Sequence, residues 1–253
     1  MTVVGRATAD PDGAVAAAPR RPRGMLLAGV AGLVVFAAFA FSVAVDVEHP
    51  WIQPLDDAWR ALVGTGPDAP TWWLPMFFQY LGEGAGNLFL IILVPVALLC
   101  VRRWRSALFF FTASLSVSLV VSQLTKNLVH RPRPAEDLEN GLYGPLFSVD
   151  HGSLPSGHAV TTGIVIVAVA ALLPPAWRRI WWVVAALLGA GMVWQRTLIN
   201  AHWLSDTLVG LLGGIAGTLI LWWAFYPLLA RDRGRPLRRR ARVHAAPIEG
   251  ETA

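Results

Sequence analysis

The chain has almost no cysteine and almost no lysine. One cysteine in 253 residues, Cys100 inside an apolar run, excludes an intrachain disulfide framework and a thiolate metal cluster, and it reads as a small hydrophobe. Charged residues make up 15% of the chain against 55% hydrophobic ones, which excludes an ordinary soluble domain. A glycine-rich nucleotide loop, a His-Glu-x-x-His pair, a Gly-x-Ser-x-Gly elbow and a visible internal repeat are also missing. Lys126 is the single lysine among 21 basic residues, so composition alone would have put an arginine there.

The apolar residues are gathered into six runs, near 25–45, 87–101, 107–124, 159–173, 180–198 and 203–223. A helix needs ~20 residues to cross a hydrocarbon core, and the second and fourth runs are short for that. The expected fold class is all-α: a polytopic six-helix transmembrane bundle over 25–228. Residues 1–24 form a disordered tail rich in Ala, Pro, Gly and Arg, and 229–253 a basic tail. The first run exceeds the ~7–15 residues of a signal-peptide core, so it reads as a retained helix.

Arginine placement gives an orientation. With the N-terminus inside, the inner side carries Arg6, Arg20, Arg21, Arg23, Arg102, Arg103, Arg105, Arg178, Arg179 and seven arginines from Arg231 to Arg242. The outer side keeps Arg60, Lys126, Arg131, Arg133 and Arg196. This is the positive-inside asymmetry, so both termini are expected in the cytoplasm. The net charge of +5 is then mostly a topology signal; it implies no nucleic-acid partner, with attraction to anionic membrane lipids as an addition.

Between the first two runs lies an outer segment, 46–86, with Trp51, Leu55, Trp59, Leu62 and Val63 near helical spacing and then Trp72, Trp73, Phe77, Phe78 and Tyr80. Amphipathic aromatic stretches of this kind lie in the membrane interface, as a cover over helix ends or as a surface admitting a lipid tail. After the third run, Arg131-Pro132-Arg133-Pro134 stops any helix. The loop that follows is long for a mere connection and ends at Pro155-Ser156-Gly157-His158. There Ser156 can cap the fourth helix, whose first N–H groups form an anion site. In the sixth run Gly210, Gly213, Gly214 and Gly217 favour close helix packing.

The polar residues that interrupt the runs fall at one end of this topology: Lys126 and Arg133, then Ser156, Gly157 and His158, then Arg196, His202 and Asp206. Asp206 lies four residues beyond His202, so on a helix the two side chains share a face. A carboxylate that holds one ring nitrogen leaves the other free to attack or to accept a proton. Three cations, a helix N-terminus, two imidazoles and a carboxylate suit a phosphate group, whose oxygens need both charge and directed donors. A lone intramembrane His-Asp pair could equally be a packing hydrogen bond or a proton relay. His49, His130, His151 and His244 match no such position, and Arg131 reads as a helix-end cation or an outlying phosphate contact.

Lys126, six residues, Arg133-Pro134; Pro155-Ser156-Gly157-His158; Arg196, five residues, His202, three residues, Asp206: in this order and spacing the chain resembles the type 2 phosphatidic acid phosphatase and vanadium haloperoxidase superfamily, in its integral-membrane lipid phosphatase branch. The resemblance covers about 25–228. It departs at Gln195, where the family usually has serine. It implies that His202 is a nucleophile forming a phosphohistidine, that Asp206 orients it, and that His158 is acid and then base. It further implies that Lys126, Arg133, Arg196 and N–H groups of Ser156 and Gly157 hold the phosphate, with no metal and no cofactor. The substrate would be a lipid phosphate, of the polyprenyl diphosphate or phosphatidic acid type, met on the outer face. Phosphotransfer to an alcohol, and a non-catalytic protein that binds or moves lipid phosphates, are the alternatives.

Overall fold

A computed structural model describes residues 20–65, 71–83, 86, 88–147 and 151–233. Most of both expected tails therefore lies outside the described residues. Among the described residues eight helices carry the fold: α1 (Arg23–Val45), α2 (Gln53–Val63), α3 (Trp73–Gly82), α4 (Phe89–Cys100), α5 (Trp104–Leu128), α6 (Gly157–Leu172), α7 (Pro175–Leu198) and α8 (Leu204–Arg233). Among the described residues β-structure is limited to a bridge between Asp137 and Leu142. In a hydrocarbon environment a helix satisfies its own backbone donors and acceptors, and continuous apolar runs without period-two alternation suit helices.

Three helices, α1, α5 and α8, at 23, 25 and 30 residues, are long and apolar enough to cross a membrane. α4 and α6 are shorter apolar helices, while α7 opens with Pro175, where the missing N–H costs nothing, and carries Arg178 and Arg179 in its first turns. α8 extends to Arg233, beyond the expected boundary at 228, because Leu229 is buried and Asp232 pairs with Arg105 at 3.1 Å. α5 is not uniformly wound: its middle, Ala113–Leu124, is π-helical, and the α-helix resumes over Thr125–Leu128.

α8 is the hub, packed chiefly on α6 and α1 and also on α5. Its contact with α6 is backbone against backbone. A Cβ on Gly214 would sit 2.2 Å from the Val160 carbonyl oxygen, and one on Gly210 2.8 Å from that of Ser156. Gly213 and Gly217 instead make room for the side chains of Val121 and Val117 of α5, the close packing that the glycine spacing predicts. Around this seam Phe109, Phe110, Val117, Val160, Ile164 and Trp222 form the main core.

α2 is inverted relative to a soluble helix. Its apolar Leu55 and Leu62, with the preceding Trp51, are exposed, while Asp56 is buried. That arrangement suits a helix with lipid on its outer side and a polar site on its inner side. α3 docks more tightly than a cover requires: the Phe78 ring fills the space over Gly191 of α7, and the His158 ring fills the space over Gly82.

Candidate active site

The C-terminal ends of α5 and α7 and the N-terminal ends of α6 and α8 meet at one end of the bundle, around a cavity of about 210 Å³. Lys126, Arg133, Gly157, His158, Arg196 and His202 all line it, joined by Gln79, Glu83, Ser122, Gln123, Phe147 and His151. The three cations thus share the cavity with three histidines, His151, His158 and His202. Lys126 Nζ donates to the Gly152 carbonyl at 2.8 Å. Arg133 donates through Nε to the His151 carbonyl at 3.1 Å and through Nη1 to that of Ala201. Burial lowers Arg133 from the ordinary guanidinium value, and the Asp206 carboxylate offsets part of this.

His202 lies in the turn before α8, just past Asn200, which adopts the left-handed conformation (φ 54°) that asparagine tolerates. Its Nδ1 is 2.7 Å from the Ser153 carbonyl oxygen. A carbonyl only accepts, so the ring proton is on Nδ1 and the lone pair is on Nε2, 3.4 Å from Arg133 Nη1. Burial, and then the charges of Arg133, Arg196 and Lys126, push the His202 pKa well below its usual value. The ring is therefore a neutral, electron-donating imidazole at neutral pH.

The expected direct grip of Asp206 on His202 is looser than the spacing suggests. Asp206 Oδ2 stands 3.9 Å from His202 Nδ1 and accepts instead from the Trp203 N–H at 3.1 Å. Its Oδ1 accepts from Arg131 at 2.8 Å. Two stronger donors claim the carboxylate because His202 precedes the first helical turn, and the Ser153 carbonyl takes its place at the ring. Arg131 is not an exposed helix-end cation: it is fully buried between Asp206 and Asp56, at 2.8 Å from each.

Ser156 also departs from expectation. It caps α6, with Oγ accepting from Ala159 N at 3.5 Å, but its own N–H donates to the Asp206 carbonyl at 3.1 Å and is not free for a ligand. The close α6–α8 approach creates that bond, and of the two expected N–H donors Gly157 is the one at the cavity. His151, which matches no motif, stands on the cavity wall.

Sequence reasoning also missed Gln79, Glu83, Ser122, Gln123 and Phe147 on the wall, and two of these bear on the site. Gln79 of α3 accepts from Arg196 Nη1 through Oε1 at 2.5 Å, and its backbone carbonyl accepts from His158 Nε2 at 3.1 Å. Its signal was an amide within an otherwise apolar, aromatic helix. Ser122 lies four residues before Lys126, and its buried hydroxyl has no hydrogen-bond partner among the described residues. Gln195, the departure from the family pattern, is fully buried and does not line the cavity; its Oε1 is 3.5 Å from Arg196 Nη1.

A family profile described as the PAP2 superfamily matches residues 107–229. The chain is 30% identical over 173 residues to the candidate undecaprenyl-diphosphatase YbjG of Escherichia coli (strain K12), covering 65% of this chain and 81% of YbjG. Its fold is similar to the crystal structure described as the first transmembrane PAP2 type phosphatidylglycerolphosphate phosphatase from Bacillus subtilis. There the TM-score is 0.60 at 18% identity, over 83% of this chain and 98% of that one. The gathering of Lys126, Arg133, His158, Arg196 and His202 about one cavity, together with these likenesses, makes the chain an integral, multi-pass membrane protein of the PAP2 phosphatase superfamily.

Proposed function

We propose that this PAP2 membrane phosphatase hydrolyses a lipid phosphate or diphosphate through a phosphohistidine on His202. One observation carries the reading: Ser153 fixes the proton on His202 Nδ1, so that Nε2 offers its lone pair to a cavity lined by Lys126, Arg133 and Arg196. In the first step Nε2 attacks phosphorus and the bond from phosphorus to the leaving oxygen breaks; His158 gives that oxygen a proton. Its Nε2–H is donated to the Gln79 carbonyl, so the acid is the imidazolium, formed by a proton taken up on Nδ1 together with the substrate's negative charge, and Nδ1 is the nitrogen that gives up this proton and regains it from water. In the second step His158 takes a proton from water, the water oxygen attacks phosphorus, and the P–N bond breaks, returning its electron pair to Nε2 and releasing inorganic phosphate. The three cations and the Gly157 N–H offset the charge that builds on the phosphoryl oxygens.

Amphiphilic substrates suit the location. Trp72, Trp73, Phe77 and Tyr80 of the α3 region are exposed beside the site, as are Trp51, Leu55 and Leu62 around α2, an apolar front for a tail that stays in lipid. Polyprenyl diphosphates and diacylglycerol phosphates are the two classes, and likeness to a candidate undecaprenyl-diphosphatase favours the first. In the proposed topology α1 and α4 to α8 cross the membrane, α2 and α3 lie at the outer interface, both termini are cytoplasmic and the site faces out.

The test is phosphate release by the purified protein, with EDTA present, from undecaprenyl diphosphate, phosphatidic acid and glucose 6-phosphate. The expected order of kcat/KM puts both lipids above the sugar ester. A preference for the sugar ester would sink the lipid reading.

A further inference from the structure

Behind the cavity lies an ion network that the phosphoryl chemistry does not touch. Arg131 is completely enclosed and makes four hydrogen bonds, each of 2.8 Å: Nη1 to Ser205 Oγ and Asp206 Oδ1, Nη2 to Gln53 Oε1 and Asp56 Oδ2. Asp56, on α2, reaches the first turn of α8 as well. Its Oδ1 accepts from the Ser205 N–H at 2.8 Å, and its Oδ2 from the Ser205 hydroxyl at 2.6 Å. Neither Asp56 nor Arg131 lines the 210 Å³ cavity. Three buried charges are a poor way to gain stability, since apolar residues of the same volume commonly do as well or better. Such a network serves geometry.

The geometry it fixes is that of the nucleophile's turn. Asp56 and Arg131 hold Ser205 and Asp206 from one side, and Asp206 holds the Trp203 N–H, one residue from His202. Arg131 also holds the other end of the support, because its carbonyl accepts from the N–H of Ser153, whose own carbonyl fixes His202 Nδ1. We propose that Asp56 is a positioning residue for His202: by seating the Arg131 guanidinium and the first turn of α8, it sets the direction of His202 Nε2. The proposal rests on the phosphohistidine reading and makes α2 a working part of the site.

Asp56→Asn tests it, since the amide keeps an acceptor for Ser205 while removing the charge opposite Arg131. Arg131 stays paired with Asp206. The expected result is a kcat for p-nitrophenyl phosphate lowered on the order of tenfold to a hundredfold, as for outer partners of catalytic groups, with KM within about twofold of wild type. Inhibition by vanadate, which needs His202 at bonding distance, should weaken in step with kcat, and inhibition by inorganic phosphate should hold. Asp56→Glu should recover part of the loss. An unchanged kcat would overturn the proposal, and so would a lowered kcat with wild-type vanadate sensitivity, the mark of a partly unfolded sample. Should Asp56→Asn not fold, Ser205→Ala keeps all three charges and removes the hydroxyl that accepts from Arg131 and donates to Asp56. The same paired weakening is expected there, and wild-type values for both would again overturn the proposal. Full activity in His202→Ala would instead fall on the mechanism itself.

Discussion

The proton on His202 Nδ1, held by the Ser153 carbonyl, leaves His202→Ala with no group able to replace Nε2. Turnover in that variant should fall by ~10⁴-fold or more, as when a nucleophile acting within a unit is deleted. Steady-state phosphate release measures this directly. His158→Ala should spare an ester with a good leaving group, such as p-nitrophenyl phosphate, more than a lipid phosphate, because only the poorer leaving group needs the proton. The pH profile follows from the lowered pKa of His202. A depressed value means the neutral ring persists as pH falls through ~6.5, the ordinary imidazole value, so no enzymic acid limb should appear there. The limb in kcat/KM should instead follow the substrate's second phosphate ionisation and move when esters of different pKa are compared. A common limb near the ordinary imidazole value for every ester would show that His202 titrates as a free side chain. Lys126, Arg133, His158, Arg196 and His202 were legible because each is a polar residue at the edge of an apolar run, with no bland reason to be there. Asp56, Gln79 and Arg131 were not, since their partners lie far away in sequence and their neighbours read as an interfacial helix or a helix end.

At the scale of elements, the spacing of the α8 glycines announces close packing, but not which helix they meet or how near. Backbone contact at Gly214 leaves no flexible side chain to yield. Gly214→Val should therefore destabilise the protein by ~1–3 kcal/mol or more, read as a lower unfolding temperature in detergent. It should also lower activity, because separating α6 from α8 breaks the bond from Ser156 N–H to the Asp206 carbonyl. The six apolar runs correspond to α1 and α4 to α8, while the relaxed winding of α5 over Ala113–Leu124 has no counterpart in the pattern. Wide turns often occur at functional sites, and this one changes which face of α5 Lys126 and Ser122 present. α2 and α3 read as aromatic interfacial segments from their outer faces; their inner faces, with Asp56 and Gln79, carry the polar half of the amphipathic logic, which spacing alone could not match to partners.

For the whole molecule, the proposed topology predicts that a reporter fused after Ala253 reads as cytoplasmic and one inserted near Asp137 as exported. Both on one side would break the helix count. The arginine asymmetry is legible in composition alone, whereas the packing order is not, because periodicity gives the faces of helices and not their neighbours. That order has a consequence in time. Chains emerge N-terminus first, yet the helix that packs on α1, α5 and α6 is α8, which follows all three in the chain. Until it arrives, Arg131 lacks Asp206, Ser156 lacks the carbonyl that receives its N–H, and the turn bearing His202 has nothing to stand on. A chain that stops before Leu204 thus carries Lys126, Arg133 and Arg196 but lacks the support of the proposed nucleophile. In the proposed mechanism, phosphate cleavage has to wait until α8 has been made and has packed on α1, α5 and α6.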